Sequence, residues 1–141
     1  MQIWLIPASG EATEILSWRQ GQVRTLRILP SPRSNNNERE DPYKSRRPMI
    51  AMCDSAGPGP HFCSVNFLSL KTGEQVKSIK FKSQVCDVLA NKRSIVVTFS
   101  EKIAVFDAKS LEDVLTITTC YPSPGPNSNP VALGTRWLAY R

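Results

Sequence analysis

The chain has 141 residues, 40% of them hydrophobic and 21% charged, and carries a formal net charge of +6. That length is ordinarily one domain with a real core, and no apolar run nears the roughly 20 residues of a membrane-spanning helix. The positive charge permits attraction to phosphates, acidic lipid surfaces or acidic protein tails and specifies none of them.

The start, MQIWLIPASGE, has no basic stretch ahead of its short apolar run, so no secretory signal is visible and a cytosolic or nuclear location is expected. Gln2 to Ile6 and Thr13 to Trp18 read as two strands around a Gly-containing turn, and Val23 to Leu29 as another, ended by Pro30-Ser31-Pro32. Residues 31 to 48 are Asn-rich, charged and nearly without apolar side chains, which predicts a long exposed loop. Met49 to Cys53 resumes the strand pattern, DSAGPGPH at 54 to 61 breaks it, and Cys63 to Leu70 and Glu74 to Phe81 follow around a KTG turn. Val85 to Leu89, Ser94 to Phe99, Lys102 to Phe106 and Val114 to Thr118 are rich in Val, Ile, Thr and Phe and too short for helices. From 120 to 130 prolines preclude a central strand, and Val131 to Leu133 and Arg136 to Tyr140 close the chain with two short runs. Cys53, Cys63, Cys86 and Cys120 lie in or at the ends of such runs, as buried free thiols of a reducing compartment do.

An internal repeat organises these runs. Residues 65 to 81, VNFLSLKTGEQVKSIKF, align without a gap to 103 to 119, IAVFDAKSLEDVLTITT, at an offset of 38. Ile3-Trp4-Leu5 leads into Ser9-Gly10-Glu11 as Asn66-Phe67-Leu68 leads into Thr72-Gly73-Glu74, and VALGTRWLAY from Val131 matches VLANKRSIVV from Val88 at an offset of 43. A period of about 40 residues with four short strands per unit is the signature of propeller blades. The expected fold is therefore all-β, an incomplete β-propeller: residues 1–18 end a blade, 19–81 are a blade with long loops at 31–48 and 54–62, 82–119 are a complete blade, and 120–141 start another. One outer strand, two blades and two further strands give an expected count of eleven, too few for a closed ring of about four to eight blades, so a longer protein is expected. A smaller β-sandwich from the same strands is the alternative.

Candidate chemistry is sparse. His61 is the sole histidine, in a Pro-Gly loop with no nucleophile motif nearby, so no catalysis is expected. His61, Cys63 and Cys53 match no zinc spacing, and neither Gly-rich phosphate motif occurs, so no metal or other cofactor is expected. The basic residues are dispersed, most of them alternating with apolar ones like the solvent face of a strand. Trp4, Trp18, Phe67, Phe81, Phe106 and Trp137 read as core rather than as a stacking platform, so no nucleic acid is expected. Lys44, Arg46 and Arg47, beside Glu38, Glu40 and Asp41, are the candidate surface contact, although the charges partly cancel and a solvated loop is the favoured reading. Ser31-Pro32 and Ser123-Pro124 are common loop dipeptides that proline-directed kinases accept.

TGEQVKSIKFK, EKIAVFDA and the block CYPSPGPNSNPVALGTRWLAY closely resemble the breast carcinoma-amplified sequence three family, also called Rudhira, over nearly the whole chain. The resemblance implies a WD40-like propeller, similar to the phosphoinositide-binding propellers of autophagy. It also implies a non-enzymatic adaptor that associates with the forming autophagosome membrane, with a partner protein, and with microtubules and intermediate filaments in cell migration. Cytoplasmic, phagophore, cytoskeletal and nuclear pools are implied, and a nuclear co-regulator scaffold is the alternative. The paired-arginine motif of the related propellers, Phe-Arg-Arg-Gly, is absent, since Arg46-Arg47 lies between Ser45 and Pro48, so any lipid site is expected in blades beyond Arg141.

Overall fold

The computed structural model describes residues 1–19, 21–33, 39–119 and 129–141. In chain order the strands are β1 (Gln2–Leu5), β2 (Thr13–Ser17), β3 (Val23–Ile28), β4 (Met49–Asp54), β5 (Ser64–Ser69), β6 (Gln75–Lys80), β7 (Asp87–Ala90), β8 (Ser94–Thr98), β9 (Lys102–Asp107), β10 (Asp113–Thr118), β11 (Val131–Leu133) and β12 (Leu138–Tyr140). Among the described residues the only helix is a 3₁₀ turn at Lys44–Arg46.

Neighbours in sequence are neighbours in space. β1 pairs with β2, β3 to β6 form one four-stranded sheet, β7 to β10 form another, and β11 pairs with β12, every pair antiparallel. These are the expected blades. Among the described residues the strand count is twelve rather than eleven, because both opening runs form strands and pair as a hairpin where the blade count allowed one outer strand.

The repeats extend to individual residue pairs. Val88↔Val97, Leu89↔Val96 and Ala90↔Ile95 recur at offset 43 as Val131↔Tyr140, Ala132↔Ala139 and Leu133↔Leu138. At offset 38 even the irregularity is copied: the register slips past Val76 in the β5–β6 pair and past Val114 in the β9–β10 pair. A bulge adds one residue and increases local twist, so both outer strands bend away at the same step. In the opening hairpin the slip comes at Ile15, two positions later in the aligned pattern.

The sheets stack face to face in chain order, and the side chains of each central strand alternate between two cores. On β4, Met49, Ala51 and Cys53 join Val65 and Phe67 against Val88, Ile95, Val97, Ala104 and Phe106 of the next sheet. Ile50 and Met52 face the other way, with Leu68, toward Ile3 of the opening hairpin. On β8 and β9, Val96, Ile103 and Val105 pack toward Val131, Leu133 and Leu138. Four sheets in series replace the two-sheet sandwich as the explanation of the strand list. Each fully buried Met, Ile or Phe contributes on the order of 2 kcal/mol, so the seams between sheets are where stability resides.

Polar side chains tie the inner strands together. Arg24 donates to the Val85 carbonyl and stacks on the Phe62 ring, while Arg27 donates to the Val88 carbonyl and lies 3.8 Å from Asp87, which also accepts from Thr25. Some expectations fail here. Trp4 is 48% and Trp137 81% exposed, so neither is core, whereas Phe67 and Phe106 are buried and Phe81 packs edge-on against Phe99. Cys53 and Cys63 are buried but Cys86 is exposed, because Val85 and Val88 on either side of it take the core-facing positions; Cys120 and Ser123-Pro124 lie outside the described residues.

Candidate functional site

One end of the stack carries the β3–β4, β7–β8 and β11–β12 connections together with the β5–β6 and β9–β10 turns. The β9–β10 turn is built by a short acceptor. Asp107 Oδ1 accepts from the main-chain N–H of Lys109 and of Ser110, each at 2.8 Å, and the turn closes through Leu111 N to Asp107 O. Asn91 does the same for the β7–β8 turn: its Oδ1 accepts from Arg93 N and Ser94 N, each at 2.8 Å, and its Nδ2 donates to the Gly134 carbonyl of the last hairpin at 2.7 Å. Asp and Asn suit these places because their short side chains can stand in for a turn's main-chain acceptor.

Arg47 fixes the third wall. Its Nε reaches Asp41 at 3.1 Å and its Nη2 donates to the carbonyls of Ala108 at 2.8 Å and Lys109 at 3.3 Å. Arg47 is buried and Asp41 largely so, with side-chain exposures of 9% and 13%, and Arg47 Nη1 has no partner. Lys109 Nζ donates to the Arg39 carbonyl at 3.1 Å, so the β3–β4 connection and the β9–β10 turn are clamped across the seam of two blades.

Between these walls lies a cleft of about 470 Å³ lined by Pro32, Arg33, Lys92, Arg93, Ser94, Asp107, Lys109 and Val114. Four cations face one carboxylate there, and that carboxylate is already engaged by its own turn. A second cleft of about 240 Å³ opens on the other side of the β7–β8 turn, where Val96, Val105, Leu133 and Trp137 supply apolar wall and Arg93 and Arg136 the charge. Arg93 lines both.

The sequence-derived candidates fare unevenly. Lys44 and Arg46 are exposed on the 3₁₀ turn, as a surface contact requires. Arg47 is not: it is a buried clamp, because Asp41 and two carbonyls compensate its desolvation. The long exposed loop is corrected to the same extent, since Tyr43 packs against the core and Arg47 is buried, while 34–38 lie outside the described residues. His61 is exposed beside Phe62, and among the described residues no cluster of His, Cys, Asp or Glu is arranged to hold a metal.

Lys92, Arg93 and Lys109 carry no local sequence motif that marks a site. Their common signal is position within the repeat: all stand in connections at the same end of alternate strands, and Lys109 aligns with Lys71.

A second polar cluster is internal. Asp54 is 2% exposed at the end of β4, and burial raises its carboxyl above the ordinary range, against the opposing hydrogen bonds from Ala56 and the Trp18 side chain. Asn66 donates to it at 3.5 Å and accepts from Ser78 at 2.7 Å. Cys53 beside it is pushed up to about 11, first by burial and then by Asp54 and Cys63 against the opposing Arg24 charge. Asp54 and its partners lie on the hairpin side of β4, whereas Cys53 faces the core shared with the next sheet.

The family model described as BCAS3, WD40 repeat matches residues 1–141, the entire chain. The chain is 46% identical over 186 residues to the breast carcinoma-amplified sequence 3 homolog of Drosophila melanogaster, with 99% of this chain and 17% of that protein covered. It is 33% identical over 176 residues to autophagy-related protein 18g of Arabidopsis thaliana, covering 99% of the chain and 18% of that protein. Autophagy-related protein 18f of the same plant is 28% identical over 154 residues, with 99% and 20% covered. The chain thus spans 17% to 20% of the length of these relatives.

Proposed function

Because the chain belongs to the BCAS3 WD40-repeat family, we propose that it is part of the frame of a non-enzymatic scaffold of the autophagy machinery, associating with the phagophore in the starvation response. The observation that carries this reading is similarity along 99% of the chain both to a breast carcinoma-amplified sequence 3 homolog and to proteins named as autophagy-related. The architecture supports it physically. Apolar strands are consumed in building the seams, while the four cations of the larger cleft stand on connections at one end of the blades, where a scaffold meets its partners.

In this reading partners are proteins held by the loops and blade edges. Phosphoinositide membrane is engaged through other parts of the propeller, and microtubules and intermediate filaments are contacted during cell migration. The protein then works in the cytoplasm, with phagophore, cytoskeletal and nuclear pools. The test is starvation of cells carrying the tagged full-length protein: recruitment to autophagosome precursors is expected, unchanged by His61→Ala. A protein that stays diffuse or purely nuclear overturns the proposal.

A further inference from the structure

We propose that the two clefts flanking the β7–β8 turn form one docking groove for an acidic peptide segment of a partner protein. Its carboxylates lie against Arg33, Lys92 and Arg93 in the larger cleft, and a large apolar side chain enters the smaller one. The inference rests on the scaffold reading above and names the chemistry of one partner.

Three features of the groove lead to this occupant. The larger cleft presents cations from separate connections, its one carboxylate committed to its own turn. An anionic ligand with spaced charges matches that layout. The turn N–H groups that would cradle a compact phosphate are already taken, those of Lys109 and Ser110 by Asp107 and those of Arg93 and Ser94 by Asn91. Long flexible side chains are left to do the binding, and they suit carboxylates strung along a peptide better than one phosphoryl group. Finally, the larger cleft is rimmed by Val114, 58% exposed, and the smaller one is walled by Val96, Val105 and Leu133 beside Trp137, 81% exposed. A peptide crossing the β7–β8 turn past Arg93 reaches both clefts, and its apolar residue covers part of that surface.

The groove is also preorganised. Arg47 holds the β9–β10 turn against the β3–β4 connection, and Asn91 holds the β7–β8 turn against the last hairpin. Walls fixed before binding lose little freedom when the peptide arrives.

The probe is a fluorescent glutamate-rich peptide with a single phenylalanine, titrated against the full-length protein by anisotropy. Saturable binding is expected that weakens as salt is raised to about 0.5 M. Lys92→Glu with Arg93→Glu is expected to weaken it about tenfold or more, and Trp137→Ala, or Phe→Ser in the peptide, about threefold or more. Arg19→Glu with Lys82→Glu, at the opposite end of the blades, is expected to leave it within about twofold. These exposed substitutions should not move the melting temperature, which is measured alongside.

No binding by the wild type, equal loss from both charge reversals, or indifference to the phenylalanine overturns the proposal. So does a result in which only phosphoinositide-containing vesicles respond to the Lys92 and Arg93 changes. Recruitment after starvation is scored on the same variants. Recruitment without peptide binding sinks this inference alone, and peptide binding without recruitment sinks the autophagy reading alone.

Discussion

Leu111 occupies, one blade later, the left-handed backbone position held by Gly73, with φ of 59° against 71°. The two turns are otherwise the same, each closed by a hydrogen bond from this residue back to the first residue of the turn, Asp107 or Ser69. Glycine is the usual occupant of such a site, and a leucine persists there only if something compensates. The compensation is burial, since Leu111 is completely enclosed in the core between the two blades.

Leu111→Gly should therefore destabilise the fold even though it relaxes the backbone. Relief is worth about 1 kcal/mol, whereas emptying a buried leucine site costs about 2–5 kcal/mol, which leaves a net loss of roughly 2 kcal/mol. Gly73→Ala should lose about 1 kcal/mol, from strain alone, since the added Cβ meets only Leu16 Cδ1 at 3.5 Å. Urea unfolding of the variants measures both, and a stabilised Leu111→Gly would show that strain outweighs burial.

The Arg47–Asp41 pair gives a second contrast. Arg47→Ala strands a largely buried carboxylate and removes the donor to two carbonyls, so a loss of about 3 kcal/mol is expected. Lys44→Ala and Arg46→Ala remove exposed side chains and should each stay within about 0.5 kcal/mol. Equal costs for all three in denaturant titrations would mean that the buried clamp is not a structural element.

The blades could be read in the sequence because their cause is local and periodic. Short β-branched runs, polar turns and two repeat offsets follow from alternation of side chains across a sheet, and the register carried over pair by pair, as with Val88↔Val97 and Val131↔Tyr140. What stayed hidden depends on distant residues. Nothing around Arg47 signals that Asp41 and the carbonyls of Ala108 and Lys109 will enclose it, and nothing around Lys92 signals a cleft shared with Arg33. Trp137 reads as core for a related reason: the residues after it are apolar, but the turn it stands on points away from the core.

The three described cysteines should differ sharply in reactivity. The Cys53 thiol, pushed up to about 11 by burial, is protonated at neutral pH and shielded, and Cys63 is buried too, whereas Cys86 is exposed. Brief alkylation at neutral pH followed by mass spectrometry should label Cys86 and leave Cys53 and Cys63 unmodified until denaturant is added. Early labelling of Cys53 would mean that the seam behind β4 opens readily.

Asp54 predicts a pH dependence of the opposite sense to that of a salt-bridged carboxylate. Its folded-state pKa is raised, chiefly by burial, so over the interval between the ordinary carboxylate value and the raised one the native protein holds a proton that the unfolded chain has released. Stability contributed by this group is then fully present below the unfolded pKa and is lost as pH rises through the folded one. Above that interval the folded state contains a buried carboxylate whose Oδ2 has no partner. Asp54→Asn keeps the shape and cannot ionise, so the stability of the variant relative to the parent should rise with pH across the window and level off beyond it. Urea midpoints for both proteins between about pH 3 and 8 measure the difference, in which the other carboxylates cancel. Parallel curves would show that Asp54 is solvated well enough to titrate like any surface aspartate.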